Sequence, residues 1–277
     1  VVVFPNCKIN LGLNILRKRS DGFHDLETVF YPIPLFDVLE VVQANGPVIQ
    51  QDDVLFGESG IPVEGSKENN LCIKAYQLLK KDFPELPGIQ LHLHKAIPMG
   101  AGLGGGSADG AFTLSLLNDK FHLNLSTAQL SSYALELGSD GPFFVINKAC
   151  FATGRGELLE PVNIDLSNYK IVLVNPGIHI NTGNAFSAIT PALPSLSIKE
   201  IIKNPVNTWK ERLKNDFEEV VFMQHPAIRK IKDELYYAGA LYAAMSGSGS
   251  TVFGFFEKET PLHLSFPYHY FVKELDS

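Results

Sequence analysis

Apolar and polar residues alternate most cleanly near the start of the chain. Cys7, Ile9, Leu11, Leu13 and Ile15 fall on one face of an extended segment over 3–16, and Lys8, Asn10, Gly12 and Asn14 fall on the other. This two-residue period predicts a half-buried strand, with Lys8 and Asn10 either in solvent or facing a site. The same period recurs over 89–95, where Ile89, Leu91 and Leu93 alternate with Gln90, His92 and His94. A parallel strand buried on both faces would be apolar throughout, so this one predicts a half-exposed antiparallel strand. Weaker alternation over 28–56 predicts further strands of the same sheet. Helical spacing over 71–81 sets Leu71, Ala75, Leu78 and Leu79 along one face. A second helix is expected over 107–117. Ser126-Thr-Ala-Gln129 reads as the capping box of a third, with Gly138 as its C′ stop.

From about residue 158 the pattern changes. Tyr169-Lys-Ile-Val-Leu-Val-Asn175 predicts an apolar strand stopped by Pro176-Gly177. The proline-rich run 190–197 reads as a connection. Residues 215–235 predict two helices broken near Pro226, and 251–256 a strand fed by a glycine turn. No internal repeat or disordered tract appears.

Composition narrows the class. At 277 residues the chain is near the size at which one core splits into two. No apolar run approaches the roughly 20 residues of a membrane span, so no membrane association is expected. The net charge of -7 argues against nucleic acid as a partner. Cys7, Cys72 and Cys150 lack metal-type spacing; no disulfide and no bound structural metal is expected, and a reducing, cytoplasmic setting fits.

The densest chemical signal is Pro98-Met-Gly-Ala-Gly-Leu-Gly-Gly-Gly-Ser-Ala108, between a predicted strand and a predicted helix. Glycines let a backbone approach a ligand closely, and free amides at a helix N-terminus favour an anion, so the expected ligand is a phosphate. A Walker loop requires a lysine after the glycines, and none follows. The downstream signatures of a protein kinase, His-Arg-Asp and Asp-Phe-Gly, are absent. Gly100, Gly102 and Gly105 match Gly-x-Gly-x-x-Gly, but the strand before them is amphipathic, Pro98 intervenes, and no apolar strand ending in an acid follows the helix. Asp109, in the first turn after the glycine loop, is expected to complement the helix dipole. Asp140 precedes Gly-Pro and therefore sits on a fixed turn, where a cap or an Asx turn is the ordinary role.

The glycine run resembles the loop with which the GHMP kinase superfamily wraps the triphosphate of ATP. Its form is similar to that of the branch whose acceptor carries a cytidine diphosphate group. Pro5-Asn-Cys-Lys8-Ile-Asn10-Leu11 resembles the first motif of these kinases, with Cys7 where alanine is common. Asp21-Gly-Phe-His24 resembles their cytosine-binding element, and Met245-Ser-Gly-Ser-Gly-Ser-Thr251 their third motif.

The resemblance covers about residues 3–256 and implies an α+β, two-domain fold. An N-terminal ribosomal-protein-S5-like sheet with helices (1–157) is followed by a ferredoxin-like α+β domain (158–277), with the active site in the cleft between them. It implies catalysis by Lys8 and Asp140, with Asp140 as acid–base residue kept ionised by Lys8. It implies ATP contacts from Pro98, Met99, Gly100, Ala101, Gly102, Leu103, Gly104, Gly105, Gly106, Ser107 and Ala108, and from Asn70 and Lys95 beside the adenine. For the acceptor it implies stacking by Phe23 and Phe186, a hydrogen bond from His24, and contacts from Asn10, Arg155 and Thr182.

The reaction implied is transfer of the ATP γ-phosphoryl group to the 2-hydroxyl of a cytidine-diphosphate-linked methylerythritol, a step of the non-mevalonate isoprenoid route. Mg²⁺ is expected with ATP, although no protein ligand set for it is legible. The oligomeric state is not indicated. The competing readings are another small-molecule kinase of the superfamily, of mevalonate or homoserine type, and a non-catalytic nucleotide-binding relative.

Overall fold

The computed structural model describes residues 1–44, 53–63 and 65–276. The chain opens with β1 (Val2–Val3), β2 (Asn6–Lys18), β3 (His24–Phe36), β4 (Val38–Gln43) and β5 (Val54–Gly60). It continues through α1 (Leu71–Asp82), β6 (Ile89–Lys95), α2 (Gly105–Phe121), α3 (Thr127–Leu137) and α4 (Gly141–Ile146). Then come β7 (Cys150–Thr153), β8 (Leu158–Pro161), β9 (Tyr169–Asn175), α5 (Thr182–Ala188) and α6 (Ile198–Ile201). The last elements are α7 (Phe217–Gln224), α8 (Pro226–Tyr237), β10 (Tyr242–Met245), β11 (Val252–Glu257) and β12 (Phe271–Asp276). The described residues fall into two compact units, one drawn from 1–7, 35–99 and 104–148 and the other from 8–34, 100–103 and 149–277.

The first unit holds a sheet of order β1-β4-β6-β5. Strand β6 alternates as its sequence requires: Ile89, Leu91 and Leu93 are buried, and Gln90, His92 and His94 are exposed. Its pairing corrects half of the expectation. It runs antiparallel to β4, setting Leu91 against Val41, but parallel to β5, setting Ile89 against Val54. Because β5 is an edge strand and one face of the sheet carries polar residues, a parallel pair persists here without apolar residues on both faces.

Helices α1 and α2 pack on each other and bury Cys72, Ala75, Tyr76, Leu79, Ala108, Ala111, Leu114 and Leu117. The buried stripe of α1 is rotated from the expected one, since Cys72 and Tyr76 lie inward while Leu71 and Leu78 are half-buried. Helix α2 begins two residues earlier and ends four later than predicted. Ser126 and Gln129 close the capping box of α3 as expected, whereas Gly138 ends that helix in extended backbone (φ 161°) rather than in a left-handed stop.

Two sheets lie in or largely in the second unit. One has the order β2-β3-β7-β8. The segment 28–56 is thus not one sheet's worth of strand: β3 pairs here, while β4 and β5 belong to the first unit, and residues 45–52 lie outside the described residues. Strand β2 is buried on both faces from Asn6 to Ile15, not half-buried. Residues 213–216 run along its outer edge, where Leu13 N donates to Lys214 O and Asp216 N donates to Leu13 O, and on the polar face the Leu213 side chain lies 2.6 Å from where a Cβ on Gly12 would stand.

The other sheet is antiparallel throughout, in the order β10-β11-β9-β12. Counting its strands along the chain gives 2-3-1-4, the ferredoxin-like order, although no helix is found between β11 and β12. Helix α8 packs on β10 and β11. Phe217, Val221, Ile228, Ile231 and Leu235 join Val172, Val174, Met245 and Val252 in one buried cluster that also takes in Leu13, Ile15 and Leu26. Pro226 opens α8, so the break between the paired helices falls where the sequence sets it. Among the described residues no helix is long and apolar enough to cross a membrane.

Candidate active site

Lys8 and Asn10 share the polar face of β2, two residues apart, so their side chains point the same way. Lys8 is 3% exposed. Burying an ammonium costs several kcal/mol unless hydrogen bonds replace its water (roughly, per ion), and the strand supplies them. Lys8 Nζ donates to Asn10 Oδ1 at 2.7 Å and to the Gly102 carbonyl at 3.1 Å, and lies 5.1 Å from the centre of the Phe30 ring. Asn10 Nδ2 donates to Thr28 Oγ1 at 3.0 Å, and Thr28 Oγ1 donates to the Gly12 carbonyl. The first motif and the glycine run therefore meet at one buried cation.

In the glycine run, Ala101 and Leu103 are buried side chains between glycines of positive φ. Gly102 has φ +77°, and a Cβ there would stand 2.0 Å from the Ser246 carbonyl, so both conformation and space demand glycine. Gly104, left-handed at φ 72°, is the N-cap of α2 and offers no capping side chain; the first turn contains no acid. The leading amides of α2, at Gly105, Gly106 and Ser107, thus meet no competing carboxylate in that turn, as an anion site requires. Ser107 is half-buried within it. Pro98 is half-buried, Met99 is exposed and Ala108 is fully buried.

Lys95 ends β6 as expected, but its ammonium is already committed. It pairs with Asp37 and, at 2.7 Å, with Asp109, and all three side chains are at most 5% exposed. Asp37 also accepts from the backbone N–H groups of Ala96 (2.6 Å) and Ile97 (2.9 Å). Burial works against the charge on Lys95, yet Asp109 and Asp37 hold its pKa above the ordinary lysine value. Burial pushes the Asp109 carboxyl up to about 7 against the opposing pull of Lys95.

The dipole role expected of Asp109 is thereby corrected. It stands in the second turn of α2, facing inward to the lysine, and its Oδ1 has no hydrogen-bond partner. A cavity of about 150 Å³ adjoins this cluster, lined by apolar Val63, Leu71, Leu93 and Met99 and by polar Ser66, Asn70, Lys95 and Asp109. Asn70 caps α1, its Oδ1 accepting from Cys72 N at 2.9 Å.

Near the second element of the sequence, Phe23 is 52% exposed on a turn in which its N–H donates to Asp21 Oδ1. The Arg155 guanidinium lies 4.7 Å from its ring centre. His24 is stacked on Phe186, with centroids 5.0 Å apart and planes 15° apart, and Phe186 meets Phe217 edge-on. The aromatic pair is therefore His24 with Phe186, while Phe23 pairs with Arg155. Thr182 opens α5 with its hydroxyl 2.9 Å from that of Ser248. Asp140 precedes α4 as its N-cap residue, and its side chain makes no capping hydrogen bond to that helix.

Sequence reading missed Asp37, whose only signal is a lone acid between two strands. It noted the third motif without singling out Ser246, and it took Asn215 only as the start of a helix. Asn215 is buried, and its Nδ2 donates to the carbonyls of Met245 (2.7 Å) and Gly247 (2.8 Å), bracketing Ser246.

Comparison with known proteins converges on one group. Residues 70–148 match the GHMP kinases N terminal domain, and 197–263 match the GHMP kinases C terminal region. A 4-diphosphocytidyl-2-C-methyl-D-erythritol kinase of Parabacteroides distasonis is 53% identical over 260 residues, covering 94% of this chain and 93% of that protein. The kinase of the same description from Bacteroides fragilis is 52% identical, covering 94% and 93%. A crystal structure of 4-(cytidine 5'-diphospho)-2C-methyl-D-erythritol kinase superposes with a TM-score of 0.79 at 29% identity, over 94% of this chain and 91% of that one. The Methanococcus jannaschii mevalonate kinase, at 13% identity and a TM-score of 0.66, shares the fold alone. With both GHMP matches and majority identity across nearly its whole length, the chain belongs to the 4-diphosphocytidyl-2-C-methyl-D-erythritol kinase family of the GHMP kinases.

Proposed function

We propose that the protein transfers the γ-phosphoryl group of ATP to the 2-hydroxyl of 4-diphosphocytidyl-2-C-methyl-D-erythritol, a step in making isoprenoid precursors by the non-mevalonate route. Family membership gives the reaction class. The observation that carries the chemistry is the buried Lys8 ammonium, tied to a glycine-loop carbonyl and to Asn10.

Phosphoryl transfer asks a protein for position and charge rather than for covalent chemistry. The amides at the start of α2 bind the ATP phosphates, and the Ser107 hydroxyl is within that turn. The cavity beside Asn70, Lys95 and Met99 takes the base of ATP. Lys8 offsets negative charge as the phosphoryl group moves. Asp140 accepts the proton of the acceptor hydroxyl. Phe23, His24, Arg155, Thr182 and Phe186 bind the acceptor's cytidine end.

A Mg²⁺ ion travelling with ATP supplies charge neutralisation. Ser107 is the side chain of that first turn that would reach such an ion, whose other ligands would come from phosphate oxygens and water. By function the chain divides near residue 157, with ATP motifs mainly before it and acceptor contacts on both sides.

The experiment is an acceptor panel with ATP and Mg²⁺: the diphosphocytidyl methylerythritol, its uridine counterpart, mevalonate, homoserine and galactose. Only the first is expected to be phosphorylated at a substantial rate. Comparable turnover of mevalonate or homoserine would overturn the acceptor assignment and leave a broader kinase. No turnover with any acceptor, but tight ATP binding, would favour a non-catalytic relative.

A further inference from the structure

Ser246 lies in the turn between β10 and β11 and is fully buried. Its hydroxyl has one proton and two lone pairs, and the surroundings use both sides. Oγ donates to the Gly102 carbonyl at 2.8 Å, and the Asn10 backbone N–H donates to Oγ at 3.2 Å. The same two residues meet Lys8: the ammonium donates to the Gly102 carbonyl and to Asn10 Oδ1. One hydroxyl therefore touches two of the residues that the cation contacts.

The remaining degrees of freedom are closed from outside. Asn10 could present either end of its amide to Lys8. Thr28 settles which, because its hydroxyl proton goes to the Gly12 carbonyl and only its lone pairs are left for Asn10 Nδ2. Asn10 Oδ1 must then face the ammonium. Ser246 is fixed in turn: its N–H donates to the Thr251 carbonyl at 2.9 Å, its carbonyl accepts from Gly249 at 3.0 Å, and Asn215 Nδ2 ties the carbonyls on either side. Every member of this network belongs to the second unit.

We propose that Ser246 is a positioning residue for the Lys8 ammonium, orienting the Gly102 carbonyl and Asn10 that hold it. The inference rests on the catalytic reading of Lys8 above. Removing the hydroxyl strands the Asn10 N–H without an acceptor and leaves the Gly102 carbonyl held by Lys8 alone, so the ammonium follows whichever acceptor moves. Gly102 and Asn10 keep their backbone places in loop and strand, so the loss is expected in turnover more than in the binding of either substrate.

A cycle of Ser246→Ala, Lys8→Ala and the double variant tests this, with thermal unfolding recorded for each. Ser246→Ala is expected to lower kcat about tenfold, the scale of one well-placed hydrogen bond, with KM for ATP and acceptor within about twofold. In the Lys8→Ala background the same change is expected to cost less than about twofold, because the group it positions is gone. An equal loss in both backgrounds would make Ser246 a structural residue and sink the positioning role while leaving Lys8 catalytic. Unchanged activity in Lys8→Ala would overturn both together. If Ser246→Ala does not fold, Ser246→Cys enters the same cycle; its thiol is a weaker donor, so a smaller loss with the same dependence on Lys8 supports the proposal, and a loss independent of Lys8 overturns it.

Discussion

At the scale of single residues, the cluster of Lys95, Asp37 and Asp109 carries one cation and two carboxyl groups out of water. Asp37 collects three donors and Asp109 only one, so the cost of burial falls on Asp109. Its carboxyl is pushed up to about 7 by burial, whereas in the unfolded chain it titrates near 4 (about the ordinary Asp value). Between those values the native state binds more protons than the unfolded state, so this group's contribution to stability falls as pH rises through the window. Asp109→Asn cannot ionise. Its Tm relative to the parent should therefore become more favourable from about pH 5 to about pH 8. A difference that stays flat, or moves the other way, would mean that Lys95 keeps Asp109 ionised throughout. Asp140 tests differently, through turnover. Asp140→Asn is expected to keep ATP binding and to lose about 10²–10⁴-fold in kcat, the usual scale for a general base. Near-normal turnover in a folded variant would end the assignment.

At the scale of elements, amphipathic segments were legible and pairings were not. The alternation of Ile89, Leu91 and Leu93 gives β6 and its inner face without ambiguity, because one face of that sheet stays polar. Its parallel partner β5 leaves no mark, since direction depends on the path of the chain between the strands. Strand β2 reads as half-buried because its second face is polar, yet that face is covered too. Lys8, Asn10 and Asn14 are inside because each finds a hydrogen-bond partner, Asn14 donating to Glu27 at 2.9 Å. Hydropathy cannot distinguish a polar face in water from one satisfied by distant residues. The site follows the same rule. Gly102 and Lys8 announce themselves by motif, whereas Asp37, Ser246 and Asn215 contribute through partners between 30 and 236 positions away, a separation that no local window spans.

At the scale of the whole molecule, the order of motifs along the chain and the arrangement of cores differ. The chain passes between its two units five times, as the alternation of their segments requires. A cut near residue 157 separates the two groups of sequence features but also divides a core. Leu13, Ile15 and Leu26, from before the cut, lie in the same buried cluster as Val172, Phe217, Ile228 and Met245, from after it. Full burial of one such aliphatic side chain is worth about 1.5–3 kcal/mol, so three contribute roughly 5–9 kcal/mol. That is comparable with the entire stability of an ordinary domain, about 5–15 kcal/mol. The fragment 158–277, made alone, is therefore expected to lack a cooperative thermal transition and to expose apolar surface, even though it contains all four strands of the ferredoxin-like sheet. Circular dichroism melts and dye binding, compared with those of the full chain, measure this directly. A sharp transition in the isolated fragment, near that of the intact protein, would show that the contribution of β2 and β3 to this core is dispensable and that the C-terminal part folds on its own.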